Sequence, residues 1–244
     1  MYKITLSLGG VWPYITSVFI FVPPLPKGKI MVFEDRIAAA ERLAEALVEY
    51  RGRRPLILAI PRGAVPMAQV IAARLGGEID VVLVRKLRAP GNPEFAIGSV
   101  DESGWVYLAD YATETGADEE YIRGETAVQL ETIRQRRIQY TPVRPPHDPT
   151  GRIVIVIDDG LATGSTMIAA LHSLRAKNPA ELICAVPVAP PETLKKIGIK
   201  ADRVVCLSTP LNFQAVGQFY LDFPQVTDTE VISILASSSQ ISIT

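Results

Sequence analysis

The chain has 244 residues, long enough for one α/β domain with appendages or for two small domains. Hydrophobic residues make up 48% and charged ones 21%, which argues against disorder, and a formal net charge of -1 gives no global basic field for holding nucleic acid. The two cysteines, Cys184 and Cys206, sit in apolar runs and argue against a disulfide framework, while two histidines, His147 and His172, are too few for a zinc site at a recognised spacing.

The chain opens on an uncharged stretch, ITLSLGGVWPYITSVFIFVPPLP, between Lys3 and Lys27. Gly9, Gly10 and Pro13 interrupt it and no A-x-A-like site follows, so a membrane span or a signal peptide is a poor reading. An edge strand, an unstructured arm or a translation start at Met31 stays open, and residues 1–30 are set apart as an atypical extension. From Asp35, a good N-cap type, Ile37, Ala40, Leu43, Ala44, Leu47 and Val48 recur at helical spacing. LILAI at 56–60 is a short apolar run ending in PRGAVP, residues 65–75 read as a helix, and DVVLVRK at 80–86 reads as a second strand. Strand, helix and strand in that order make a βαβ unit and require a parallel sheet.

Residues 87–94, LRAPGNPE, carry two prolines and a glycine and read as a loop, while FAIGSV and WVYL flank residues 101–104 as a hairpin. Residues 118–140 form a long charged helix, an insertion spanning about 117–141. Its Arg134, Arg136 and Arg137 are a candidate RNA surface, but Glu119, Glu120, Glu125 and Glu131 balance them as on a solvated face. Beyond the connector VRPPHDPTG come IVIVI at 153–157, a helix from Ser165 to about 177, LICAVPV at 182–188, a short helix at 192–197 and RVVCL at 203–207. The alternation predicts an α/β fold, an open parallel sheet of about five strands flanked by helices, with its core at 31–208. From Pro210 the pattern breaks and aromatics gather at Phe213, Phe219, Tyr220 and Phe223, so residues 209–244 read as a small C-terminal hood over the sheet's carboxyl edge.

Ligands of open parallel sheets bind beyond the carboxyl ends of the strands. After IVIVI the chain places Asp158 and Asp159 side by side, then GLATGST leading into a helix. Glycines allow close backbone approach, hydroxyls donate, and a helix start presents unpaired N–H groups, which together suit a phosphate. Paired carboxylates at the mouth of a buried strand need a partner, and a vicinal diol or a hydrated cation supplies one.

DDGLATGST resembles the 5-phosphoribosyl-1-pyrophosphate (PRPP) motif of type I phosphoribosyltransferases. The resemblance spans roughly residues 33–207, with the first thirty residues and the long helix as additions. It implies that Asp158 and Asp159 hold the ribose hydroxyls. Gly160, Leu161, Ala162, Thr163, Gly164, Ser165 and Thr166 would form the 5-phosphate loop. IPRGAVPMA fits the family's pyrophosphate loop, with Arg62 as the fixed positive charge, Gly63 and Ala64 as close backbone, and a cis peptide at Pro61 to Arg62. Lys86 resembles the basic residue that reaches the pyrophosphate, Arg85 pointing the other way, and the 87–94 segment occupies the place of a mobile lid with Arg88 as its charge. The family's cofactor is Mg2+, which Asp158 and Asp159 would hold indirectly.

Enzymes for 6-oxopurines carry an aspartate at the position of Ala162, so its methyl group argues for another nucleobase-like acceptor. Phe219 and Tyr220 are candidates for stacking on it, or simply pack the hood. The partners implied are PRPP and a small-molecule acceptor rather than nucleic acid or membrane. A cytoplasmic place in nucleotide metabolism and a possible homo-oligomer follow from the same resemblance. Two other classes stay in view. A PRPP-binding regulatory protein would keep the loop without turnover, and a nucleotide hydrolase would use IVIVIDD as a metal strand, although no G-x-x-x-x-G-K-[ST] loop is present.

Overall fold

The computed structural model describes residues 4–5, 19–21, 31–140 and 146–238. Most of the stretch between Lys3 and Lys27, and with it the membrane question, lies outside the described residues. Among the described residues no helix is long and apolar enough to cross a membrane.

Five parallel strands form the centre: β3 (Leu56–Ala59), β4 (Glu78–Val81), β8 (Ile153–Ile157), β9 (Glu181–Val188) and β10 (Arg203–Ser208). They lie in the order β4-β3-β8-β9-β10, all neighbours parallel, with Leu58 opposite Val156 and Val156 opposite Cys184. The central pair β3 and β8 is apolar throughout because helices cover both faces, while the outer strand β4 carries Glu78 and Asp80. Ile57, Ala59, Ile155 and Ile183 face one side, packing with Leu43 of α1 (Arg36–Ala46) and Ile71 of α2 (Val65–Leu75). Leu58, Val154, Val156 and both cysteines face the other, with Leu171 of α4 (Ser165–Arg175) and Leu194 of α5 (Pro191–Gly198). Cys184 and Cys206 are free, buried core thiols. Two short strands extend the sheet beyond β10: β2 (Phe19–Phe21) joins it parallel, and β1 (Ile4–Thr5) pairs antiparallel with β2.

The first helix starts as its sequence dictates, the Ala38 N–H donating to Asp35 Oδ1 at 2.7 Å. The second closes on Gly76 in the left-handed conformation, φ 68°.

DVVLVRK is not one strand. The chain leaves the central sheet after Val81 and restarts as β5 (Val84–Ala89), which belongs to a separate three-stranded antiparallel sheet with β6 (Asn92–Asp101) and β7 (Val106–Leu108). LRAPGNPE is accordingly not a loop but a hairpin, turning at Gly91 with φ 69°. Its prolines fit because the register slips around Arg88 and Ala89, bulging the strand where Pro93 needs no ladder partner. The second hairpin forms as expected, Gly98 opposite Leu108 and Val100 opposite Val106.

The long helix α3 (Glu119–Tyr140) begins at Asp118, whose Oδ1 accepts the Tyr121 N–H at 2.7 Å. Ile133 and Tyr140 enter the core. The segment after Pro210 contains a helix that its sequence did not announce, α6 (Asp228–Ser238), anchored by the buried Val231 and Leu235.

β3 and β8 are neighbours whose chains continue into α2 and α4 on opposite faces of the sheet. Their carboxyl ends therefore flank the topological switch point, where a crevice opens.

Candidate functional site

A cavity of about 240 Å³ occupies that crevice. Arg62 and Gly63 line it from the loop after β3, Lys86 from β5, the 158–164 segment and Thr166 from the loop after β8, and Val216 from the segment between β10 and α6.

Asp158 and Asp159 are adjacent at the mouth of β8. The Asp159 N–H donates to Asp158 Oδ1 at 2.9 Å, fixing the first carboxylate in plane. Burial and then the neighbouring Asp159 carboxylate push the Asp158 carboxyl well above the usual range. Burial also raises Asp159, opposed by the guanidinium of Arg36. Arg36 donates from Nε and Nη2 to Asp159 Oδ2 at 2.9 and 2.8 Å and from Nη1 to the Pro224 carbonyl at 2.6 Å, with its plane 3.7 Å from the centre of the Phe223 ring. The Asp159 side chain is 17% exposed, so this pair is held largely away from water. Gly63 lies against it: a Cβ there would stand 2.1 Å from Asp159 Oδ2. The close approach for which Gly63 is needed is thus to the second carboxylate of the dyad.

The loop that follows is pinned by its neighbours. Gly160, φ 156°, has no room for a side chain, since a Cβ would meet Val216 Cγ1 at 2.6 Å. Leu161 is buried and its N–H donates to the Val188 carbonyl at 2.9 Å, so it braces the loop rather than offering a donor to the cleft. Thr193 Oγ1 donates to the Ala162 carbonyl at 2.6 Å. Gly164 is left-handed at φ 76° and caps α4 without a side chain of its own, and the Ser165 N–H donates to Thr163 Oγ1 at 3.5 Å. Thr166 lines the cavity, but Ser165 does not; it is buried, its hydroxyl 3.0 Å from Thr163 Oγ1 and its carbonyl accepting from Ser99 Oγ at 2.7 Å.

Across the cleft, the Pro61–Arg62 peptide is cis. Arg62 Nη1 donates to Asp228 Oδ2 of α6 at 3.3 Å, and Asp228 Oδ1 accepts the Tyr140 hydroxyl at 2.7 Å. Arg136 stands 3.8 Å from the same carboxylate. Lys86 lines the cleft, and Arg85, which does not, donates from Nε to Gln129 Oε1 of α3 at 3.0 Å.

Four expected residues stand elsewhere. Ala64 is fully buried at the start of α2, where its carbonyl accepts from Ala68, and does not face the cleft. Arg88 lies in the next recess under the hairpin. Phe219 and Tyr220, 1% and 6% exposed, pack inward; Tyr220 stacks on Phe223 and donates its hydroxyl to the Asp159 carbonyl at 2.6 Å. They stand beneath the dyad, and Val216 is the residue after β10 that the cleft meets. Arg36, Val216 and Asp228 carried no sequence signal, because each meets its partner through the fold: Arg36 and Asp159 are 123 residues apart.

A family model for the phosphoribosyl transferase domain matches residues 32–224. Two Mycobacterium tuberculosis proteins, of strains CDC 1551 / Oshkosh and H37Rv, whose names assign them provisionally to the phosphoribosyl transferases, are each 38% identical over 205 residues, covering 84% of this chain and 46% of theirs. The chain thus spans about half the length of the curated relatives it matches. The crystal structure of TT1426 from Thermus thermophilus is similar at 47% identity and a TM-score of 0.71, covering 85% of this chain and 99% of that one. With the dyad, the glycine-rich loop and a parallel five-stranded sheet in one matched region, the chain belongs to the phosphoribosyl transferase family.

Proposed function

We propose that the chain transfers the 5-phosphoribosyl group of PRPP to a nitrogen of a small acceptor, releasing pyrophosphate. The observation that supports this is the sharing of one cleft by the Asp158–Asp159 dyad, the capless start of α4, Arg62 and Lys86. A pentose phosphate has a diol and a 5-phosphate to satisfy the first two, and a leaving diphosphate to meet the last two. The carbon at position 1 loses its bond to the pyrophosphate oxygen and gains one to the acceptor nitrogen, whose proton is released. Arg62 and Lys86 stabilise the charge developing on the leaving group, and the loop and dyad hold the sugar still.

Mg2+ fits this site as a ligand-borne ion. No group of three or more His, Cys, Asp or Glu gathers among the described residues, and Asp159 is already tied to Arg36. Asp158, destabilised as an anion by burial and its neighbour, suits contact through the diol or a water. When bound, the ion would offset charge on the pyrophosphate.

Residues 209–244 would serve as the hood closing the acceptor side of a core at 31–208, Val216 being its contact and Ala162 leaving no acid for a 6-oxopurine proton. Three arginines of α3 weigh against the regulatory reading: Arg137 Nε meets Glu102 at 2.8 Å, Arg136 stands near Asp228, and Arg134 lies 3.6 Å from Glu131. Charges matched in this way make a poor phosphate-binding face. The test is pyrophosphate release with PRPP, Mg2+ and a panel of bases and small amines. Turnover lost in Asp158→Asn plus Asp159→Asn supports transfer; PRPP binding with no turnover across the panel moves the reading to a regulator.

A further inference from the structure

A second cavity, about 270 Å³, lies under the β5–β6 hairpin and opens beside the cleft. The two share Ile60, Pro61, Lys86 and Thr166, so Lys86 stands on the wall between them. Arg85 and Arg88 line the second recess and Glu94 is its one acid. Proposed transfer chemistry uses Arg62 and Lys86 and leaves this recess without a role.

Among the groups that line it or act most strongly on Arg85, cations outnumber acids. Arg136, Arg88 and Arg62 are the leading positive groups acting on Arg85, ahead of the acid Glu125. Glu125 accepts the Arg88 N–H at 3.1 Å and Gln129 Nε2 at 2.9 Å and offsets part of this positive charge, while Asp228 meets Tyr140, Arg62 and Arg136. Gln129 holds Arg85 by a neutral hydrogen bond, which orients the guanidinium without cancelling its charge. Burial and these cations together lower its pKa, the sign of a guanidinium short of counter-charge. Lys86 stands on the wall shared by the cleft, which Arg62 lines, and the recess, which Arg85 and Arg88 line.

We infer that the recess is an anion-binding annex to the leaving-group site, built to take the terminal phosphate of a linear oligophosphate chain longer than pyrophosphate. The inference rests on the proposed placement of pyrophosphate at Arg62 and Lys86. A chain of three phosphates lying there would carry its end past Lys86 to Arg88 and Arg85. The chemical class of ligand is therefore a free triphosphate, or a molecule ending in a chain of three or more phosphates, competing with PRPP for the cleft.

The test is calorimetric titration of the whole protein with inorganic pyrophosphate, inorganic tripolyphosphate and PRPP, each with and without excess Mg2+. Tripolyphosphate is expected to bind about tenfold more tightly than pyrophosphate, an added set of charge-assisted hydrogen bonds. Arg85→Gln and Arg88→Gln should each erode that ratio toward one while the pyrophosphate affinity stays within about twofold. Arg88 is exposed, so its variant keeps the test sound should Arg85→Gln fail to fold. A ratio near one in the unaltered protein, or one that survives both substitutions, overturns the annex while PRPP binding leaves the transfer site standing. Failure of all three probes to bind removes the transfer site and the annex with it.

Discussion

Arg36 places two of its N–H groups on a single oxygen, Oδ2 of Asp159, at 2.9 and 2.8 Å, and so holds half of the acidic dyad from a helix at the far end of the domain's sequence. Arg36→Ala strands that carboxylate, and removing one partner of a buried pair destabilises by about 3 to 5 kcal/mol. The loss depends on pH. Without Arg36 the folded-state pKa of Asp159, already raised by burial, rises further, while the unfolded value stays near about 3.9. Between those values the unfolded chain has released a proton that the folded chain keeps, so stability falls as pH increases. Urea unfolding should show a larger difference from the parent protein at pH 8 than at pH 5; an equal difference at both would mean that Asp159 stays ionised without its partner.

Gly63→Ala tests the same pair from the other side. Its Cβ would sit 2.1 Å from Asp159 Oδ2 and 3.2 Å from Arg36 Nε. The carboxylate must move, and PRPP affinity is expected to fall by about tenfold or more, with loss of a properly aimed charge-assisted bond. Titration of PRPP measures it, and retained affinity would show that the dyad's second carboxylate is not a ligand.

Asp228→Asn keeps the shape of the hub that joins Arg62, Tyr140 and Arg136 but removes its charge. We expect a stability loss of about 1 to 2 kcal/mol, in the range for weakening hydrogen bonds to a charged group. Pyrophosphate should bind more tightly, because Arg62 no longer has a competing carboxylate. Weaker binding instead would mean that Asp228 aims Arg62 rather than restraining it.

Tyr220→Phe and Val216→Ala separate support from contact. The first removes the hydrogen bond to the Asp159 carbonyl and should lower stability by about 1 kcal/mol without changing which acceptors are used. The second alters the cleft wall and should change acceptor KM values. A changed acceptor profile in Tyr220→Phe would return that ring to the acceptor site.

The thiols give a check on the core. Burial pushes Cys206 up to about 12 and Cys184 well above its ordinary value, so neither forms a thiolate in the folded protein near pH 8. A thiol reagent at that pH should label neither until denaturant is added, then both. The same raised values mean that the thiols' contribution to stability declines as pH climbs through the unfolded thiol value of about 8.5, because only the unfolded chain then ionises.

The central strands were legible because burial on both faces leaves runs such as IVIVI with no polar positions at all. The dyad and its loop were legible because Asp158, Asp159 and GLATGST are contiguous and need no partner to be noticed. What sequence could not give was where a strand goes. DVVLVRK has one unbroken apolar pattern, yet Val81 belongs to the central sheet and Val84 to the hairpin, since periodicity reports burial and not which neighbour supplies the hydrogen bonds. Phe219 and Tyr220 were ambiguous for a related reason: an aromatic cluster reads alike whether it packs inward or faces a ligand. Arg36 and Asp228 are single charges on ordinary helices, and only the fold gives them partners.

The hub at Asp228 bears on the order in which the protein matures during synthesis. Arg62, Lys86, the dyad and the glycine-rich loop all leave the ribosome before residue 228, so a nascent chain can complete the central sheet and the dyad's loop while Arg62 has no carboxylate to rest against. Affinity for the proposed phosphorylated ligand would then precede full restraint of Arg62, and such a ligand bound early would act as a template on which the late-arriving α6 closes.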